Sequence, residues 1–295
     1  MPCCLCRKFL WALHAVYKPE PPVFPETVPF LLLLEQHLGL ALGAEKQYLV
    51  QSRLQPIARA EGLEDWRALL RVLLAQPVTA LHWVCFEAMT TQETRFFRDD
   101  FCFDTLRRQV LPELVSRRRL QRSLRVWSAG TSTGQEACSL AMLLHDDFPE
   151  LRSWSVRIWA TDICQQTLEK AQTGVYSDQE LVNGLTPEQK TRHFRRLADG
   201  QCQLAPELSR WISVARHNLL VPAPERHFDL VLLRNVLIYF GAEQKQKVLQ
   251  HVHASMVPSG ACLILGSSET IFQSPVFIQQ KAARGSYFIT HVPSC

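Results

Sequence analysis

Apolar residues recur at helical intervals through the first third of the chain and gather into strand-like runs beyond it, and that change of period divides the sequence. From Phe30 to about Phe86 the spacing is that of amphipathic helices: Tyr48, Leu49, Leu54 and Ile57, then Trp66, Leu69, Leu70, Leu73 and Leu74, with "AEGLED" as the turn between them. A small all-α domain is expected over residues 30–86. Ahead of it, residues 1–29 hold Pro2, Pro19, Pro21, Pro22, Pro25 and Pro29, too dense for a continuous helix or central strand, so they read as a loosely attached extension. "TTQE", Thr90 to Glu93, has the form of a capping box and predicts a helix start carrying Phe96, Phe97 and Arg98. The basic stretch "RRRLQRSLR", Arg117 to Arg125, then closes a second helical run, where cations suit the negative end of the helix dipole. Residues 87–123 are therefore expected to be linker helices.

From residue 124 to 295, apolar strand-like runs alternate with helical spacing. "LRVWSA" precedes a helix from Glu136 to Leu144, "VRIWATDI" a helix around Leu168 to Ala171, and "FDLVLLRNVLIYF" a helix through Val248, Leu249 and Val252; "ACLILGSS" and "GSYFITHV" follow. Such alternation predicts an α/β domain with a doubly wound, mostly parallel sheet, whose ligands sit at the carboxyl ends of the strands. An aperiodic stretch at about 174–211 reads as an inserted small subdomain.

Composition narrows the class. The chain has 295 residues, 47% of them hydrophobic, enough for a sizeable core; 32 Lys and Arg against 28 Asp and Glu give a charge of +4, too mild to announce a nucleic-acid binder. The longest apolar runs, such as "FLLLL" at Phe30 to Leu34, are far short of a membrane span, so a soluble protein is expected. Ten scattered cysteines, several inside apolar runs, suit a reducing cytoplasmic compartment. Cys3 and Cys6 form a lone C-x-x-C without a second pair, and no metal site is expected.

The candidate chemistry lies in "VWSAGTSTGQEACSL", Val126 to Leu140, a strand, a turn of small residues and a helix opening on an acid. A P-loop would carry lysine after its last glycine, but Gly134 is followed by Gln135 and Glu136; a dinucleotide loop would need three glycines in register. What fits is a ligand that approaches the backbone at Gly134 and brings both a cation and a carboxylate, as S-adenosylmethionine does. Its amino group would pair with Glu136, its carboxylate would face helix amides, and Asp162 in "WATDI" would accept from the ribose hydroxyls. Plainer roles stand beside these: Asp162 as a helix cap, Asn218 as a turn residue, Tyr239 as core filling.

"AMTTQETRFFRD", "VWSAGTSTGQEACSL", "ATDI" followed by Ala171-x-x-Gly174-x-Tyr176, "HNLL" and "FDLVLLRNVLIYF" occur in an order and spacing that resemble the CheR-type chemotaxis receptor methyltransferases, over roughly residues 30–290. The resemblance implies a class I S-adenosylmethionine-dependent methyltransferase sheet behind a small all-α domain. It also implies a protein-glutamate O-methyltransferase that esterifies glutamates on the cytoplasmic helices of chemoreceptors and releases S-adenosylhomocysteine. Matched residue by residue, it implies cofactor contacts from Gln92, Thr94, Arg98, Glu136, Asp162, Asn218, Leu219, Arg234 and Asn235. The chain departs from the family at Gln92, where asparagine is common, and at Cys138, where tyrosine is usual.

Displacement at a sulfonium methyl needs positioning more than a covalent catalyst, and Arg98 and Tyr239 are the candidates for holding the acceptor carboxylate. A face with Lys46, Arg53 and Arg59 would dock on acidic receptor helices, and the short "LADGQCQLAPE" suggests that no receptor tether is needed. The expected protein is a monomer that inserts into no membrane and binds no nucleic acid. The competing reading is a non-catalytic module of the same fold that senses S-adenosylmethionine. A nucleic-acid methyltransferase would need an aromatic and basic channel that the sequence does not display.

Overall fold

The structure, a computed structural model, describes residues 23–271 and 274–291. It divides into two compact units, one built from residues up to Leu31 with Gly43–Pro77, the other from Leu32–Leu42 with Val78 onward.

In the first unit, helix α1 begins at Thr27 (Thr27–Leu38), ahead of the expected boundary at Phe30. Pro29 lies in its first turn, where a missing N–H leaves no helical bond unmade. Phe24 meets Trp66 edge to face at 5.6 Å, so the last residues of the expected loose extension pack on the helices; residues 1–22 lie outside those described. Helices α2 (Gln47–Ala60) and α3 (Trp66–Leu74) bury Val50, Leu54 and Ala58 against Leu69, Leu70 and Leu73. Tyr48, expected on that stripe, is 60% exposed, because the buried face runs through positions 50, 54 and 58. Asp65 caps α3 by accepting from Arg67 N and Ala68 N, both at 2.9 Å, a contribution of about 1 kcal/mol. Arg53 and Arg59 both lie on α2, but at about 100° per residue they point roughly 120° apart, so the expected basic stripe is not one face.

The second unit holds helix α4 (Ala80–Ala88), which the sequence assigned to the helical domain. Glu87 at its end pairs with Arg216 at 2.7 Å and accepts from Gln165 N at 2.9 Å, both in this unit. No helix starts at Thr90. Its hydroxyl donates back to Glu87 O at 2.6 Å, and Ser132 Oγ holds the Gln92 carbonyl at 2.9 Å, so the chain stays irregular until α5 (Asp100–Thr105). A π-helical turn, Leu106–Val110, leads into α6 (Leu111–Arg118); of the basic stretch expected to close this run, only Arg117 and Arg118 lie in the helix, and Arg125 is already in the following strand.

The main sheet contains β1 (Ser123–Ala129), β2 (Ser155–Asp162), β6 (Ile212–Arg216), β7 (Leu230–Leu233), β8 (Cys262–Leu265), β9 (Phe277–Lys281) and β10 (Ser286–Thr290) in the order β6-β2-β1-β7-β8-β10-β9. The first five are parallel; β10 runs antiparallel to β8 and β9. Helix α7 (Gln135–Asp147) is buried almost all round, with Leu140 and Leu144 in the larger core, while Val248 and Val252 of α12 (Ala242–Ser255) pack with Trp127, Trp159 and Phe228 in the other. The sheet is thus doubly wound.

Helix α8 (Gln165–Thr173) leads into the insertion, a three-stranded antiparallel sheet ordered β3-β5-β4 from Val175–Tyr176, Cys202–Leu204 and Phe194–Arg196. Helices α9 (Asp178–Val182), α10 (Pro187–His193) and α11 (Pro206–Ser209) accompany it. Buried His193 ties it to α7 through Asp146 Oδ2 at 2.8 Å. Burial opposes the Asp146 charge, yet bonds from His193 and His145 hold its carboxyl below the usual range. The six described cysteines outside residues 1–22 and 292–295 are free and buried. No helix among the described residues is long and apolar enough to cross a membrane.

Candidate active site

The loops after β1, β2, β6 and β7 open onto one cleft of about 1070 Å³, counting its open mouth. Leaving β1, Gly130 N and Thr131 N both donate to Thr161 O at 2.8 Å, which lays the loop across β2. Ser132, at φ 53, donates its amide to Asp162 Oδ2 at 2.8 Å, while Asp162 Oδ1 accepts from Cys164 N at 3.1 Å. Asp162 therefore fixes two turns and keeps lone pairs toward the cleft. Burial raises its pKa, opposed by those amide bonds.

Gly134 takes φ 92, and a β-carbon there would lie 2.9 Å from Ala171 Cβ and 3.0 Å from Tyr176 Oη. What approaches its backbone is therefore the Ala171-x-x-Gly174-x-Tyr176 segment, and Gly134 does not line the cleft. The expectation of ligand contact there gives way to a packing role, reinforced by Tyr176 Oη donating to Thr133 O at 2.8 Å. Cys138 lies beside the same Tyr176 hydroxyl at 3.5 Å, and burial pushes its thiol up to about 11.

At the end of β7, Arg234 is only 5% exposed. It donates to Glu136 Oε2 at 2.9 Å, to Asp99 Oδ2 at 3.1 Å and to the Arg98 carbonyl, and its guanidinium lies over Phe103. Glu136 Oε1 accepts from Ser128 Oγ at 2.7 Å. Burial raises the Glu136 pKa against the pull of Arg234; burial also opposes the Arg234 charge, but Glu136 and Asp99 hold it firmly protonated. The pair is a neutralised buried unit, with Glu136 already supplied with one cation.

Gln92, Thr94, Arg98, Glu136, Asp162, Asn218, Leu219, Arg234, Asn235 and Tyr239 all line the cleft. Arg98 donates to Glu93 O at 2.8 Å, and Tyr239 is half-buried. Asn218 also serves as a turn residue: its amide donates to His37 O at 2.8 Å and its carbonyl oxygen accepts from Leu220 N at 3.0 Å.

Sequence reasoning missed three contributors. Arg95 lines the mouth. His217 is buried beside Trp127 and Trp159, and burial, helped by His251, lowers its pKa to about 4. Glu269 holds the backbone of the loop after β7. Of these, only His217 carried a signal, its place beside Asn218 at a strand end. The described residues contain six buried polar side-chain atoms without a hydrogen-bond partner, and three of them, Thr131 Oγ1, His217 Nε2 and Arg234 Nε, belong to residues of this cleft. Buried polar groups seldom stay unpaired, so the concentration marks a place for a polar ligand.

Residues 28–90 match the family model described as the CheR methyltransferase all-alpha domain, and residues 92–285 match the CheR methyltransferase SAM binding domain. The chain is 38% identical over 246 residues to the chemotaxis protein methyltransferase of Vibrio parahaemolyticus, covering 82% of this chain and 88% of that one. It is 38% identical over 251 residues to chemotaxis protein methyltransferase 1 of Pseudomonas aeruginosa, covering 83% and 90%, and 35% identical over 247 residues to the Escherichia coli chemotaxis protein methyltransferase, covering 80% and 81%. Two family models that together span most of the chain, over a parallel sheet with its cleft at the strand ends, establish that the chain belongs to the CheR methyltransferase family.

Proposed function

We propose that this chain methylates glutamate side chains on the cytoplasmic helices of chemoreceptors, with S-adenosylmethionine as donor. The observation that carries the reading is the cleft itself, which joins three acids, three arginines and three orphaned polar atoms at the carboxyl ends of adjacent parallel strands. The donor set fits the cofactor: Asp162 offers acceptors for a diol, Glu136 for an ammonium, and Arg234 Nε and Thr131 Oγ1 are unspent partners for a carboxylate. Bound S-adenosylmethionine supplies an electrophilic methyl carbon. The relatives' names, chemotaxis protein methyltransferases, support the receptor as acceptor.

The chain's own part is to bind and orient. A glutamate carboxylate is anionic at neutral pH and needs no base. Arg98 and Tyr239, from distant segments of the chain, line the same cleft and are assigned to hold that carboxylate. Arg98 is partly engaged by Glu93 O, so it offers a shared rather than a full grip, which leaves the acceptor nucleophilic.

Labelled S-adenosylmethionine incubated with the protein and receptor-containing membranes should place base-labile label on receptor glutamates. Tyr239→Phe should keep S-adenosylhomocysteine affinity and slow single-turnover methylation roughly tenfold, the equivalent of about 1.4 kcal/mol. An unchanged rate would leave the Tyr239 ring as packing; a wild type that binds cofactor but labels no receptor would make this chain a sensor.

A further inference from the structure

The loop after β7 turns at Asn235, held at φ 57, and its amides converge on one carboxylate. That carboxylate is Glu269, in the segment after β8. Its Oε2 accepts from Asn235 N and Gly266 N, each at 2.7 Å; its Oε1 accepts from Val236 N at 2.9 Å and Ile238 N at 3.2 Å. Backbone amides turned toward one point form a concavity that binds anions, and here the chain fills it with its own side chain. Gly266 makes the approach possible, since a β-carbon there would stand 2.7 Å from Glu269 Oε2 and 2.9 Å from Asn235 N. The same loop brings Asn235 and Tyr239 to the cleft, which Glu269 itself does not line. Any influence of Glu269 on the chemistry must therefore pass through the loop.

We propose that Glu269 is the positioning residue of this loop: its carboxylate holds Asn235 at its left-handed φ and the short 3-10 turn, Leu237–Tyr239, that follows, and so sets Tyr239 in the cleft. The proposal rests on the reading of the cleft as a methyl-transfer site. Asparagine tolerates a positive φ but adopts it only where the surroundings hold it there. Bonds to an ionised acceptor are the stronger kind, and losing the charge weakens all of these contacts together. The turn is then free to relax toward the right-handed region and carry Tyr239 away from its place.

Glu269→Gln tests this with little change of shape, because the new amide nitrogen donates and must face a pair of N–H groups. Hydrogen exchange at residues 235, 236, 238 and 266 should accelerate roughly tenfold or more, with the remaining amides unaffected. Affinity for S-adenosylhomocysteine should move far less than the turnover number on receptor, which should fall roughly tenfold. In a Tyr239→Phe background most of that fall should vanish, since both changes act through one contact. In Glu269→Ala, added acetate should slow the loop exchange and recover part of the rate, which a residue needed only for folding would not allow.

Unaccelerated exchange in Glu269→Gln, accelerated exchange with unchanged turnover, or full additivity with Tyr239→Phe would each overturn the proposal. If Glu269→Gln does not fold, Glu269→Ala decides, and failure of acetate to restore the loop overturns it. A wild type that binds cofactor but methylates no receptor would defeat the functional reading instead, and the exchange pattern would still judge the role of Glu269.

Discussion

Two loops enter the cleft from neighbouring parallel strands, one after β1 and one after β7, and both are pinned by a carboxylate from the strand on their far side. Asp162, at the end of β2, takes the Ser132 amide; Glu269, just past β8, takes the amides of Asn235, Val236 and Ile238. Each loop carries a non-glycine residue at positive φ, Ser132 in one and Asn235 in the other. The difference lies in where the pinning acid faces. Asp162 lines the cleft and Glu269 does not, so in the first loop one side chain both holds the turn and faces the cleft, while in the second the pinning acid stands apart from it. On the proposed reading, occupancy of the cleft and order of the loop are coupled on one side and separable on the other.

The base of the second loop should be the most costly place to break. Arg234→Met leaves Glu136 buried without its cation, and chemical denaturation should show a loss of about 3–5 kcal/mol. A loss under about 1 kcal/mol, the worth of an exposed pair, would mean that this anchor is not what holds the loop.

A smaller effect is expected for the first loop. Asp162→Ala should weaken S-adenosylhomocysteine binding by about 1.5–3 kcal/mol in calorimetry and speed exchange of the Ser132 amide. Faster exchange with full affinity would make Asp162 a clamp like Glu269, and the contrast between the loops would disappear.

A pH-dependent effect, of which the substitution removes only a part, follows from His217, next to Asn218 after β6. Its folded pKa of about 4 lies below the ordinary 6.5, so as pH falls the unfolded chain takes up the proton first. Stability present above pH 6.5 should therefore decline between pH 6.5 and about 4, and His217→Asn should flatten part of that slope in thermal melts. Parallel slopes for the two proteins would show that the imidazole titrates freely.

The same contrast shows what the sequence can carry. The parallel strands announce themselves as apolar runs, since a strand covered on both faces has little room for polar residues; β7 is buried at every position. The first loop and its acids are legible because Gly134, Glu136 and Asp162 sit at fixed offsets from such runs. Glu269 gives no such signal: "SSET" is an ordinary surface tetrapeptide, and its meaning lies in amides more than thirty residues earlier in the chain. Thr90 misleads for a related reason. A capping pattern states which bonds are available, and here the Glu87 carbonyl and the Ser132 hydroxyl compete for the segment. Tyr48 misleads by phase alone, because aromatic bulk suggests burial on a helix whose inner stripe runs through smaller residues.

Trp127 and Trp159, side by side on β1 and β2, have ring centroids 5.2 Å apart and planes tilted by 41°, with the His217 ring 5.6 and 5.5 Å away. Two indoles that close and skewed form a chiral chromophore pair whose transitions couple, and a neighbouring imidazole quenches indole emission when it gains a proton. Trp127 Nε1 donates to Thr161 Oγ1 at 2.8 Å, and the carbonyl of that same Thr161 receives the first two amides of the cleft loop. Indole and loop thus share Thr161 as an anchor, and tryptophan emission is the label-free signal in which a change of the loop is to be sought.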